Sequence, residues 1–179
     1  RGDVYKRQTI TQQLLKNNVF TNWTQESTWL ERFTRKIQEQ YLAVEVEKNI
    51  NNKNVILENY LNTINLGAGT YGVQAAAHKY FDKDVWDLNL SECATLAGIT
   101  QNPTDYDPVT RPENNKIRRN KVLKNMLEQG YISQKQYDKA MSDDVYARIQ
   151  ATSASSQADN AYSYFVDALT QPVSYTHLR

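Results

Sequence analysis

Apolar side chains recur along most of the chain at spacings of three and four, the period of one face of an α-helix. The clearest run predicts a helix from Thr28 to about Lys48, with one apolar stripe made of Leu30, Phe33, Ile37, Tyr41 and Val44. A second run predicts a helix from Asn54 to Asn65, with Gly67 placed where a C-terminal cap is expected.

Capping residues predict the remaining helices. Asn89 followed by Glu92 opens one of them, and Ser133 followed by Gln136 opens a short one. The other predicted spans are Thr9–Asn18, Val73–Phe81, Leu90–Ile99 and Pro112–Glu128. Because no segment shows a convincing strand pattern, the predicted fold class is all-α.

The two ends of the chain differ in character from the rest. Residues 1–8 and 172–179 resemble translated adapter or vector sequence and are predicted to be non-native flanks of an internal fragment. Residues 151–171 begin with small polar side chains and are predicted to be a linker, which leaves 9–150 as the folded part.

Composition narrows the class of protein. In 179 residues, 40% hydrophobic and 23% charged residues exclude a disordered or fibrous chain. A net charge of +1 gives no basic field for nucleic acid. One cysteine, Cys93, excludes an intramolecular disulfide, and two histidines leave little for a histidine metal site. No apolar run approaches the length of a membrane span.

The first polar constellation is a helix face of hydroxyl, amide and ammonium groups made of Thr9, Gln12, Gln13 and Lys16. Such a face suits sugar hydroxyls and a phosphate, although spacing alone favours an ordinary solvated face.

A second constellation lies opposite the apolar stripe and consists of Arg32, Arg35, Lys36 and Glu39. Arg35 and Glu39 form an i,i+4 pair, which on an exposed helix contributes only about 0.2–0.5 kcal/mol. The pattern alone therefore favours a surface ion pair. The functional alternative is a pyrophosphate cradle, in which arginine forks onto phosphate oxygens and lysine acts as a point charge.

Weaker signals have structural interpretations. Glu58 and Asn62 are expected to form a buried pair inside an apolar helix. Arg118 and Arg119 are most simply a solvated helix face. Cys93 is expected in the core, and His78 is expected to be structural.

Together, four ordered segments resemble motifs of the peptidoglycan glycosyltransferases, the glycan-polymerising domains of bifunctional class A penicillin-binding proteins. The segments are TITQQLLK from Thr9, Arg35-Lys36-x-x-Glu39, Lys53-x-x-Ile56-Leu57-Glu58-x-Tyr60-Leu61-Asn62, and Arg118-Arg119-x-x-Val122-Leu123. The resemblance covers about Thr9 to Gln171 and implies a lysozyme-like helical fold at the outer face of the cytoplasmic membrane. It also implies lipid II and the nascent glycan strand as partners. The implied reaction joins the two by a glycosidic bond, with inversion at the anomeric carbon and release of polyprenyl diphosphate.

The resemblance implies roles for individual residues. Lys16, Arg35 and Lys36 would meet the charge of the diphosphate, while Thr9, Gln12 and Gln13 would hold the donor. Glu39 matches an essential glutamate that positions substrate or a divalent cation such as Mg²⁺ or Mn²⁺. The residues expected to support the cleft are Glu58, Asn62, Arg118 and Arg119.

The chain also departs from the family pattern. The family's first motif, which carries the general-base glutamate, is not matched in the chain. The small residues that the resemblance leads us to expect just before Thr9 are replaced by Lys6, Arg7 and Gln8. The membrane anchor and the transpeptidase domain are likewise expected outside the chain. The parent protein is therefore predicted to be an enzyme and this fragment to be nearly inactive.

Two alternatives remain open. A lysozyme-like glycan-cleaving enzyme would need a glutamate in an apolar pocket, whereas Glu39 stands among cations, which favours a phosphate-linked donor. A non-catalytic helical module that binds cell-wall partners is the other alternative.

Overall fold

The computed structural model describes residues 9–20, 27–149 and Thr152, and within them the chain is all-α. Seven α-helices run in the order α1 Ile10–Asn18, α2 Trp29–Ile50, α3 Lys53–Thr63, α4 Val73–Phe81, α5 Leu90–Ile99, α6 Pro112–Glu128 and α7 Gln134–Met141. A 3₁₀ turn at Val85–Asp87 precedes α5, and residues 145–149 are again helical. The predicted flanks, and the predicted linker apart from Thr152, lie outside the described residues.

Local capping chemistry explains where the helices begin. Four of them, α1, α2, α5 and α7, open with a reciprocal capping box. The capping side chain accepts from the backbone N–H of the third helical residue, and the side chain of that residue accepts from the backbone N–H of the cap. Pro112 occupies the first turn of α6, where its missing N–H costs nothing. The predicted starts at Thr28, Asn89 and Ser133 are confirmed.

The end of α3 was predicted incorrectly. The helix stops at Thr63, because Ile64 turns to an extended conformation and donates its N–H to the carbonyl of Tyr60 at 3.0 Å. Gly67 is therefore not a helix cap. It lies in a tight loop over residues 64–72 that is closed by a hydrogen bond from Gly72 N to the carbonyl of Ile64 at 2.8 Å.

Two hydrophobic clusters form the core. The first joins the loop after α3, helices α4 and α5 and the chain near residue 149 through Ile64, Leu66, Ala76, Tyr80, Phe81, Leu96, Ile99, Val145 and Ile149. The second joins α5 to α6 and α7 through Ala94, Leu123, Ile132 and Ala140. Helix α5 contributes to both clusters and is the central element of this half of the molecule.

Arg119 is buried at 2% exposure, so the predicted solvated face on α6 is wrong. Its Nη1 donates to Ser91 Oγ and to the carbonyl of Asp143, both at 3.3 Å, and its guanidinium lies over the ring of Tyr146. Arg118 is half-buried over the ring of Tyr106. Both arginines thus brace the packing around α5.

Two smaller expectations have different outcomes. Cys93 was expected in the core, but its residue is exposed on the outer side of α5. His78, for which a structural role stays a prediction, is exposed on α4 and contacts Gln74 at 2.9 Å between the two side-chain nitrogens. A transmembrane helix is not found in the part of the chain that the structure describes.

Gly72→Ala is expected to destabilise the fold far more than Gly69→Ala. Gly72 has φ +85° and ψ 153°, a region open essentially to glycine alone, and a Cβ there would lie 2.5 Å from the carbonyl oxygen of Asn62. Gly69 also has a positive φ, but a Cβ there would meet open space. Thermal unfolding should show a loss of about 3 kcal/mol or more for Gly72→Ala and about 1 kcal/mol for Gly69→Ala. Equal losses would contradict this account of the loop.

Candidate functional site

Helix α1 is held against α2 and α3, so the first polar constellation is fixed in place. Leu15 is buried, and the hydroxyl of Thr11 donates to Glu47 Oε1 on α2 at 2.6 Å. On the α3 side, Tyr60 Oη donates to Gln13 Oε1 at 3.1 Å. These two hydrogen bonds set the rotation of α1 about its own axis.

Thr9 and Gln12 also cap their own helix. The Thr9 hydroxyl oxygen accepts from Gln12 N at 3.2 Å, and Gln12 Oε1 accepts from Thr9 N at 3.1 Å. The structure therefore gives both residues a structural task that their predicted role did not include. The capping box uses only acceptor capacity, which leaves the hydroxyl proton of Thr9 and the amide protons of Gln12 for a ligand.

Helix α2 buries the face opposite to the one that its hydrophobic pattern predicts to be buried. Glu39 and Ala43 are its buried residues. The apolar stripe is instead exposed to solvent by 48–67%, at Leu30, Phe33, Ile37, Tyr41 and Val44. The expectation that the charged face points outward is therefore wrong at Glu39. A continuous apolar stripe that is exposed in this way is typical of an interaction surface.

The predicted ion pair between Arg35 and Glu39 is present, but it is not a surface pair. The Glu39 side chain is 2% exposed and the Arg35 side chain 12% exposed. The free energy needed to move two charges out of water can exceed the free energy gained from their attraction. A buried ion pair is therefore weak evidence of a stabilising role. The pair lies on the face of α2 that is turned inward, within the second predicted constellation.

The other cations of the predicted cradle lie close by in the chain. Lys36 is exposed next to Arg35, and Arg32 is exposed one turn earlier. Lys16 is half-buried in the last turn of α1, the helix that packs on α2. The packing of α1 on α2 thus places both predicted constellations on one pair of contacting helices. Whether Lys16, Arg35 and Lys36 share a single groove stays a prediction.

Four predicted support residues have different positions. Glu58 and Asn62 are exposed on α3, so the expected buried pair is wrong. Arg118 and Arg119 belong to α6, whose contacts are with α5 and α7. They support the packing of α6 on α5 and are not part of the α1–α2 pair.

The described residues do not fit a metal centre made by protein ligands. No group of three or more His, Cys, Asp or Glu side chains comes together within them. Glu39, the predicted ligand, is paired with Arg35, and a guanidinium beside a carboxylate competes with a divalent cation for the same oxygens. The cations that the described residues themselves offer here are Lys16, Arg35 and Lys36.

Tyr60 and Glu47 are site residues that the sequence interpretation did not name. Tyr60 is half-buried, and burial raises the pKa of its phenol, which keeps it a hydrogen-bond donor to Gln13. Its place within the third motif was an available signal. Thr11 and Glu47 are 36 positions apart, so no local pattern in the sequence indicates their contact.

Comparison with known proteins assigns this arrangement to a class. The family model described as Transglycosylase matches residues 8–127, which include every segment of the α1–α3 packing. The chain belongs to the transglycosylase family. Its all-α fold is the lysozyme-like fold of that family.

Relatives and a solved structure agree with this assignment. The chain is 48% identical over 134 residues to penicillin-binding protein 1A of Aquifex aeolicus, covering 75% of this chain and 17% of that protein. It is 36% identical over 181 residues to penicillin-binding protein 1A of Streptococcus oralis, covering 99% and 28% respectively. The crystal structure of penicillin-binding protein 1A from Haemophilus influenzae aligns with a TM-score of 0.50 and 45% identity, over 51% of this chain and 14% of that one. The chain thus spans less than a third of the relatives it matches.

Tyr60→Phe is expected to loosen α1 without unfolding the protein. The substitution removes the hydrogen bond to Gln13 and keeps the ring, at a cost of about 0.5–1.5 kcal/mol. Chemical denaturation should show this loss of unfolding free energy, and amide hydrogen exchange should speed up more in α1 than in α5. Tyr71→Phe, at an exposed position, is the matched control and should leave the unfolding free energy and the exchange rates unchanged.

Proposed function

We propose that the chain is the donor-binding part of a peptidoglycan glycosyltransferase, which polymerises lipid II into glycan strands with inversion and release of polyprenyl diphosphate. The supporting observation is the buried Arg35–Glu39 pair on the face of α2 that is turned inward, in a chain of the transglycosylase family. The Lys16 helix packs on this face, so charge and hydrogen-bond donors are concentrated where two helices meet.

The chemistry of the leaving group explains why cations are needed. Breaking the bond between the anomeric carbon and the diphosphate leaves negative charge on phosphate oxygens, and positioned cations lower the energy of that charge. Arg35 can fork onto two oxygens, whereas Lys16 and Lys36 act as point charges. Cations that the fold already holds in position stabilise this charge without having to rearrange during the reaction.

Glu39 is proposed to orient the site. Its carboxylate binds Arg35 and so fixes the direction in which the guanidinium points. A carboxylate engaged in this way is poorly placed to take the proton of the acceptor 4-hydroxyl. We therefore assign that proton transfer to a base outside residues 9–149.

The donor sugar is proposed to lie along the N-terminal part of α1. The hydroxyl of Thr9 and the amide groups of Gln12 and Gln13 offer both donors and acceptors to sugar hydroxyls. Gln13 keeps its amide N–H groups for the ligand, because its Oε1 accepts from Tyr60. The rigid attachment of α1 to α3 would then hold the anomeric carbon at a constant distance from the cations.

The location and partners of the whole protein follow from the same proposal. A polyprenyl-linked donor is confined to a membrane, so the enzyme would act at the extracytoplasmic face of the cell membrane. The nascent glycan strand would be its second substrate. A membrane anchor and a transpeptidase domain are proposed for the parent protein. Mg²⁺ or Mn²⁺, where one takes part, would be held by the oxygens of the diphosphate itself, because the Glu39 carboxylate is engaged by Arg35.

Glu39→Gln is expected to abolish polymerisation while leaving the fold intact. The assay uses a chimera in which residues 9–149 replace the corresponding segment of penicillin-binding protein 1A of Aquifex aeolicus, with purified lipid II as substrate. Losing the charge that orients Arg35 should cost about a hundredfold or more in rate. Glu45→Gln on the same helix is the matched control and should polymerise normally. Circular dichroism should report the same helix content for both.

Three results would contradict the proposal. An active Glu39→Gln chimera would remove Glu39 from the site. A chimera that folds but does not polymerise lipid II would remove the proposed activity. Release of sugar fragments from finished glycan without any chain growth would favour a glycan-cleaving enzyme.

Lys36→Met is expected to weaken binding of a short polyprenyl diphosphate by about three- to tenfold, since one charge-assisted contact is lost. Isothermal titration of the 179-residue chain measures the effect directly. Lys48→Met, near the other end of α2, removes the same exposed charge and should leave the affinity unchanged.

A further inference from the structure

Residues 143–149, which lie beyond the segment matched by the family model, are bound into the core by an ionic network. Asp143 accepts two parallel hydrogen bonds from Arg148, at 2.6 and 2.8 Å. The Nη2 atom of Arg148 also lies 3.1 Å from Glu92 Oε1. Glu92 is fully buried, so its charge has to be met within the protein.

The network fixes this segment to several helices at once. Glu92 on α5 also accepts from Lys83 Nζ at 2.8 Å and from Asn89 N at 2.9 Å. Arg119 on α6 donates to the carbonyl of Asp143 at 3.3 Å. The first cause of the lowered pKa of Asp143 is its hydrogen bonding to Arg148, which keeps the carboxylate charged and the pair closed.

The same short segment also carries core side chains. Val145 and Ile149 are fully buried and belong to the cluster that contains Ile64 and Leu66 from the loop after α3. Tyr60 packs against this cluster, and its hydroxyl holds Gln13 at 3.1 Å. A continuous chain of packed side chains therefore joins residues 143–149 to the helix of the candidate site.

We propose that residues 143–149 act as a clasp that positions α1 through this chain of contacts, with Arg148 as a positioning residue for the donor site. Opening the clasp would free Ile149 and Val145, loosen the loop that carries Ile64 and Leu66, and let Tyr60 release Gln13. The effect of the clasp on donor binding rests on the proposed function, whereas its effect on Gln13 does not.

The experiment compares Arg148→Met with Lys124→Met in the 179-residue chain. Lys124 is an exposed cation on α6 that lies 3.7 Å from Glu128, so its loss removes one charge without touching the clasp. The first readout is the pair of side-chain amide resonances of Gln13 in ¹⁵N spectra, assigned with Gln13→Ala. The second is the affinity for a short polyprenyl diphosphate.

Arg148→Met should shift the Gln13 resonances and weaken the affinity by about 2- to 30-fold, the range for couplings carried through packed side chains. Lys124→Met should do neither. Arg148→Lys, which keeps the charge but not the bidentate fork, should give an intermediate shift, and it replaces Arg148→Met if that variant does not fold. A lower unfolding temperature with Gln13 resonances unchanged would overturn the clasp. If the wild-type chain binds no diphosphate, the proposed function fails, while the Gln13 resonances still decide the clasp.

Discussion

The burial of Glu39 determines how the site is built, because it fixes which face of α2 is turned inward. A carboxylate that is 2% exposed needs a partner, and Arg35 one turn earlier supplies it. With these two side chains inside, the apolar stripe on the opposite side of α2 has to face solvent. The helix thus gives up much of the hydrophobic burial available to it in exchange for a charged interior face. Such an arrangement is explained by function more easily than by stability.

The helices themselves were well predicted, because their signals are local. Capping boxes at Asn89 and Ser133 and the proline at the start of α6 each act within one turn of chain, and each marks a helix start in the structure. The end of α3 failed for the opposite reason. Ile64 leaves the helix to join the core cluster under the 64–72 loop, a tertiary contact that no local pattern reports.

Burial was harder to predict than secondary structure. Periodicity shows that a helix has two unlike faces, but it does not say which face the rest of the protein covers. That is why Glu39 was expected outside and Glu58 inside, when the structure has the reverse. The predicted roles of Lys16 and Arg35 came from ordered motifs and stay predictions; the structure places the two residues on contacting helices. The partners Tyr60 and Glu47 are too far along the chain from α1 for spacing to find.

Two buried carboxylates show how charge can serve different purposes in one fold. Glu92 is met by Lys83, Arg148 and a backbone N–H, and the elements it joins all belong to the core around α5. Glu39 instead stands on a helix whose neighbouring cations, Arg32 and Lys36, are open to solvent. A carboxylate enclosed by its own fold is suited to holding elements together. A carboxylate beside exposed cations can instead orient charge toward a ligand, and only this second kind coincides with the family's motifs. The family match ends at residue 127, whereas the core continues to Ile149.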